Sequence, residues 1–201
     1  MPGGAGLAPR GGPLELRLDP PGAMDRWRPF VHWLLAVPHL IVMWGLSALR
    51  SALTIIAFFT VLFTTRIPDG IYGLLVLTYR YQARVVSYVA AMRSAYPPFT
   101  FDTTAEDPGD DPLRLAFQPQ PQLQRWAPLY KWLIALPHYV CLFFLGIAAF
   151  AVWIVAAFAV LFTGRFPDGM HRFLVGVGRW SVRVSTYVGL LHDEYPPFSL
   201  E

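Results

Sequence analysis

Two pairs of arginines carry the clearest chemical signal in this sequence: Arg80 with Arg84, and Arg179 with Arg183. Residues four apart share one face of a helix. Two guanidiniums on one face present planar forks of N–H donors that match carboxylate or phosphate oxygens. If the two pairs meet, four cations converge and need an anion between them, a lipid phosphate or an anionic solute. If they do not meet, each pair faces lipid headgroups separately. His39 and His138 each follow a proline. They are weak metal candidates, because zinc takes four ligands and neither apolar run supplies a full set of Cys, His or carboxylate beside them. The simpler role is an interfacial His bonded to backbone or headgroup. Arg66 with Asp69, and Arg165 with Asp168, frame Pro-Asp-Gly turns, where an ion pair competes with plain turn chemistry. Cys141 is the single cysteine and lies in an apolar run, so it reads as a small buried hydrophobe. Gly-rich phosphate loops, Ser/His/Asp arrangements and basic-aromatic tracts for nucleic acid do not occur. The residues predict no catalysis, no cofactor and no nucleic-acid partner.

These residues recur at a fixed interval. "VLFTTRIPDG" at residues 61–70 returns as "VLFTGRFPDG" at 160–169, and "RWRPFVHWLLAVPH" at 26–39 returns as "RWAPLYKWLIALPH" at 125–138. "YPPF" at 96–99 returns at 195–198, and Arg80 and Arg84 return as Arg179 and Arg183, each 99 residues on. Ungapped self-similarity of this length marks a duplicated structural unit. The expected organisation is a disordered N-terminal segment (1–13), a first membrane repeat (14–99), an acidic Pro/Gly linker (100–112) and a second membrane repeat (113–201). The linker's "EDPGDDP" reads as a solvated connector.

Composition points to a bilayer. The chain is 55% hydrophobic and 14% charged, against about 25% charged in an average soluble domain. Between residues 29 and 65 the only formal charge is Arg50, and between 128 and 164 it is Lys131. Runs of this length read as membrane spans. Residues 1–25 lack the apolar core of a secretory signal, so the first apolar run is expected to direct insertion.

Each repeat should hold the same elements. Alternating "LELRL" (14–18) and "LRLAF" (113–117) predict short strands. An amphipathic helix follows, bearing Trp27 and Trp33 or Trp126 and Trp132, residues suited to the headgroup layer. It ends or kinks at Pro38 or Pro137. One long transmembrane helix then occupies 39–65 or 138–164. After the turn, a second, Arg-bearing helix runs over 71–93 or 170–192, ended by YPPF. The fold class expected is an all-α membrane protein with a small β element, in two tandem pseudo-symmetric repeats with about four spans.

Two topologies compete. If the second helix of each repeat crosses, both repeats stand the same way up and both strands lie on one side with both termini. Arg10, Arg17, Arg26, Arg28, Arg93, Arg114, Arg125 and Lys131 then outnumber Arg66, Arg165 and Arg172, which places strands and termini in the cytoplasm. The opposing argument is that Arg80 would lie about 16 Å along the helix from the turn. An Arg near the midplane costs about 2.5–3.5 kcal/mol. A second helix lying flat on anionic lipid avoids that cost.

With "RW-P…WL-A-PH", "VLFTGR-PDG" and "EYPPF" together, the chain resembles domain-of-unknown-function family four-three-eight-nine, an uncharacterised bacterial membrane family, in two tandem copies. The resemblance implies a multi-pass protein of the bacterial cytoplasmic (inner) membrane and carries over no catalytic residues. Thr65 stands where the second copy has Gly164, and Arg50 where it has Ala149, so the copies have specialised. The expected function is a non-enzymatic accessory or structural protein that binds membrane lipids, a protein partner or a second copy of itself. The competing expectation is a small transporter or channel that uses the arginines for an anionic solute.

Overall fold

The structure is a computed structural model that describes residues 12–109 and 111–201, the side chains of Pro29 and Phe30 excepted. The disordered segment expected at 1–13 therefore lies almost wholly outside the described residues. Strand β1 (Leu14–Leu18) precedes helices α1 (Arg28–Leu35), α2 (Val37–Thr64) and α3 (Asp69–Val89). The order then repeats as β2 (Leu113–Phe117), α4 (Ala127–Ile134), α5 (Leu136–Thr163) and α6 (Asp168–Val188).

The helix boundaries follow from local chemistry. Pro38 and Pro137 sit in the first turns of α2 and α5, where a missing N–H leaves no bond unmade. They separate each long helix from the short one before it. Thr65 (φ 60°) and Gly164 (φ 69°) end α2 and α5 in the left-handed region, their N–H groups bonded to Val61 and Val160. Ala91 (φ 52°) and Leu190 (φ 67°) close α3 and α6 in the same conformation, with Met92 N–H on Ser87 and Leu191 N–H on Thr186. That is the Schellman pattern of a helix end.

β1 and β2 pair antiparallel with Leu16 opposite Leu115. The "TFD" and "SLE" segments after YPPF form no strand, so the sheet is this two-stranded ribbon. The ribbon exchanges partners between the repeats: β2 lies on α3 and β1 on α6. α3 and α6 carry α2 and α5 on their other sides. One shared core results, in which Leu16, Leu115 and Phe117 of the ribbon join Leu53, Ala57, Leu75, Val76, Ala156 and Val160.

The long helices run past one another in opposite senses. Met24, just before α1, donates its N–H to Gly164 at the end of α5, and Leu123, just before α4, donates to Thr65 at the end of α2 (both 2.8 Å). The Trp153 indole in mid-α5 reaches the Ala90 carbonyl behind α3 at 3.0 Å. Each long helix thus ends beside the segment that leads into the other.

Candidate functional site

The arginines of α3 face the ribbon and the connector before it. Arg80 is 2% exposed. Its Nε donates to the Leu115 carbonyl at 3.0 Å, and its Nη2 to Thr104 at 2.9 Å. Arg84 Nη2 donates to both oxygens of Asp107 at 3.2 Å, and Nη1 to the Thr100 hydroxyl at 3.0 Å. Asp107 is fully buried, lies 3.1 Å from Arg80 Nε, and accepts the N–H groups of Leu115 and Gly109. Just behind the end of α3, Arg93 grips both oxygens of Asp111, which also accepts the Leu113 N–H. The linker is therefore no solvated connector. Asp107 and Asp111 are the counter-charges of a buried network, because three sequestered guanidiniums need them.

The second repeat is built differently. Arg179 donates to the Leu16 carbonyl at 3.2 Å and to Leu200 at 3.1 Å. Leu16 and Leu115 are cross-strand partners, so Arg80 and Arg179 satisfy carbonyls of both strands of the ribbon, which has no further strand to pair with among the described residues. The two arginine pairs engage different partners and do not converge on one anion. The positions 99 residues before Asp107 and Asp111 are Ala8 and Gly12, and residues 1–13 contain no acid at all. Arg183 makes no ion pair among the described residues, and its Nη1 is buried without a hydrogen-bond partner. Glu194 and the Arg17–Glu15 pair line the cleft beside it.

Where α3 meets α1, His32 Nδ1 lies 2.9 Å from the Tyr88 carbonyl, and its ring stacks on Tyr88. The equivalent place in the second repeat holds Lys131, 1% exposed, which donates to the His192 carbonyl and pairs with Asp193 at 2.7 Å. Burial lowers the Lys131 pKa. Burial, with the Lys131 charge adding to it, pushes His192 down to about 4.

His39 and His138 are fully buried, each in an aromatic clasp of its own repeat. His39 stacks on Phe99 and His138 on Phe198 (centroids 4.0 Å), with Tyr96 and Tyr195 at 4.8 Å. His39 Nδ1 meets the Tyr81 hydroxyl at 2.7 Å, and His138 Nδ1 accepts from the Trp180 indole at 3.1 Å. Pro-His and Tyr-Pro-Pro-Phe are thus two halves of one contact, which fixes the start of each long helix to the segment behind the Arg-bearing helix. No group of three metal-ligating side chains occurs among the described residues. Asp69 and Asp168 open α3 and α6. There they favour the positive helix end, and neither forms an ion pair with Arg66 or Arg165. Cys141 is half-buried rather than sealed in the core.

Two helices, α2 and α5, are long and apolar enough to cross a membrane, and only 17% and 6% of their most apolar windows are buried. The molecule is a mostly helical tandem repeat joined by a two-stranded ribbon, with weak membrane character in its two longest helices. Residues 26–100 and 125–199 each match the family described as "Domain of unknown function (DUF4389)", and the chain belongs to that family, in two copies. No curated protein and no solved structure matches the chain significantly.

Proposed function

We propose that this protein is a non-enzymatic, lipid-bound protein of the bacterial cytoplasmic membrane, seated in one leaflet with α2 and α5 in the membrane plane. The observation that carries this reading is one-sided exposure. On α2, Ile41, Trp44, Ile55, Phe59 and Phe63 are exposed, while His39, Leu53, Ala57 and Val61 are buried against α3. On α5, Val140, Phe143, Phe144, Phe158 and Phe162 are exposed in the same way. Apolar surface of this extent marks a membrane or protein contact. Trp27, Trp33, Trp126 and Trp132 on or beside α1 and α4 are more than half exposed, as headgroup anchors are. Arg26, Arg66, Arg125 and Arg165 at the helix ends are also exposed and suit anionic lipid.

The opposite senses of α2 and α5 support the in-plane orientation. Two antiparallel crossing helices would carry the ribbon, with Asp19 and Arg114, to mid-membrane. Four crossings would also bring the connector around half-buried Asp102 and exposed Thr103 and Thr104 into hydrocarbon, beside α3. A second reading, an anion site for transport, draws on the unpartnered Nη1 of Arg183, and anion flux from proteoliposomes would reveal it. Nitroxide labels at positions 41, 48, 55 and 63 test the orientation in phosphatidylglycerol-containing vesicles. In-plane seating predicts the same immersion depth at all four. A depth that peaks at 48–55 and falls towards both ends overturns it, since residues 41–63 rise about 33 Å along a helix.

A further inference from the structure

A cavity of about 460 Å³ lies between α3 and α6, roofed by Leu16, Leu18 and Leu113 of the ribbon. Its walls contain pairs of residues 99 apart, Tyr79 with Gly178, Gln82 with Ser181 and Ala83 with Val182. The cavity therefore sits on the pseudo-twofold axis, and its contents differ from one side to the other. The first repeat contributes Arg50, Tyr79 and Gln82, and the second contributes Tyr139, two serines and the space beside Gly178. Where Tyr79 stands in one wall, Gly178 stands in the other, and a Cβ added there would meet nothing within 4 Å.

Arg50 reaches the cavity from α2, and its repeat counterpart is Ala149. It is the only charged residue among the described residues that line the cavity. Its Nη1 donates to the Gln82 side chain, and its guanidinium lies 5.0 Å from the centre of the Tyr79 ring. No carboxylate pairs with it among the described residues. A guanidinium carries five N–H donors and a charge that no protein environment removes. Holding it half-buried beside apolar walls is costly without an anion. The remaining walls are apolar or neutral, with Ser87, Tyr139, Ser181 and Ser185 as further hydroxyls.

We propose that this cavity binds a single-chain anionic amphiphile, a long-chain fatty carboxylate, with its head on Arg50 and its chain between α3 and α6. At roughly 30 Å³ per water-sized group, the volume holds on the order of fifteen such groups, enough for one chain and too little for a two-chain lipid. A carboxylate accepts two N–H bonds from the guanidinium edge that Gln82 leaves free. The asymmetry between the copies has a use on this account: one copy supplies the charge at Arg50 and the other the open space at Gly178. The site does not depend on how the long helices sit in lipid.

The test uses the full chain in phosphatidylcholine vesicles and a sixteen-carbon fatty acid carrying a mid-chain diazirine, with the matching fatty alcohol as comparison. Photolysis should give one adduct per chain, mapped to α3 and α6 and competed by palmitate. Arg50→Gln should reduce labelling by the acid at least tenfold and leave the weak labelling by the alcohol unchanged. Gly178→Phe should abolish labelling by both while the melting temperature holds, because the ring enters open space. Adducts confined to the outer faces of α2 and α5 overturn the proposal. So does equal labelling by acid and alcohol that is indifferent to Arg50→Gln.

Discussion

Replacing Asp107 by Asn removes one negative charge from a site that water does not reach and changes almost nothing in shape. Asp107 is fully buried, and the arginines on either side of it, Arg80 and Arg84, are 2% and 5% exposed. The amide still accepts the Leu115 N–H through one oxygen, but its NH₂ group points donors at guanidinium donors. Breaking a buried ion pair by altering one partner costs about 3–5 kcal/mol, a large share of the roughly 5–15 kcal/mol that holds a domain folded. At about 2–4 °C per kcal/mol for a chain of this size, the melting temperature should fall by on the order of 10 °C. The assay is thermal unfolding in vesicles, followed by tryptophan fluorescence. Arg84→Met should also destabilise, and the double variant should lose less than the sum of the two, because one buried charge then leaves with its partner. An Asp107→Asn protein that melts within about 2 °C of the wild type would refute the reasoning, and the connector would be a passive strap.

His192 should make stability depend on pH. Its folded pKa of about 4 lies below the ordinary 6.5, so protons bind the unfolded chain more readily. The stability tied to it is complete above pH 6.5 and is lost as pH falls towards 4, by about 3 kcal/mol in all. The urea midpoint of His192→Gln, compared with wild type between pH 7 and 4, should lack that component. The two left-handed helix ends predict opposite responses. Thr65→Gly should stabilise by about 1 kcal/mol, because a side chain at φ 60° is strained. Gly164→Ala should destabilise by at least about 1 kcal/mol, because its Cβ would meet the Met24 carbonyl at 3.1 Å as well as the strained φ. Urea denaturation of both variants checks the pair.

Much of the scaffold was legible because it rests on short-range signals. Alternation at 14–18 and 113–117 gave the strands, the prolines at 38 and 137 divided the helices, and Thr65 and Gly164 marked where the long helices stop. What was not legible is what meets across long separations. Asp107 and Asp111 sit in a Pro/Gly-rich stretch whose composition resembles a solvated loop, and nothing local distinguishes a buried carboxylate there. A signal was nonetheless present: the first repeat carries Arg80, Arg84 and Arg93 in or behind an otherwise apolar helix, and the nearest acids after them are those of the connector. His39 and YPPF are each visible in the sequence but not as partners, because a clasp that joins position 39 to position 99 has no local signature. The exchange of strands between the repeats was beyond reach for the same reason. Self-similarity says that two units are alike and leaves open which strand rests on which helix.

That exchange bears on ancestry and on engineering. β1 precedes the first family unit yet rests on α6, and β2 precedes the second yet rests on α3. Neither half owns a complete core, so a half expressed alone would leave its Arg-bearing helix bare until another copy lent its arm. A single-copy chain built this way would need to pair with another through interlocked N-terminal arms, and joining two such copies end to end would make that pair one polypeptide. Within one polypeptide each half is free to differ from its twin, as the pairs Arg50 with Ala149 and Tyr79 with Gly178 do.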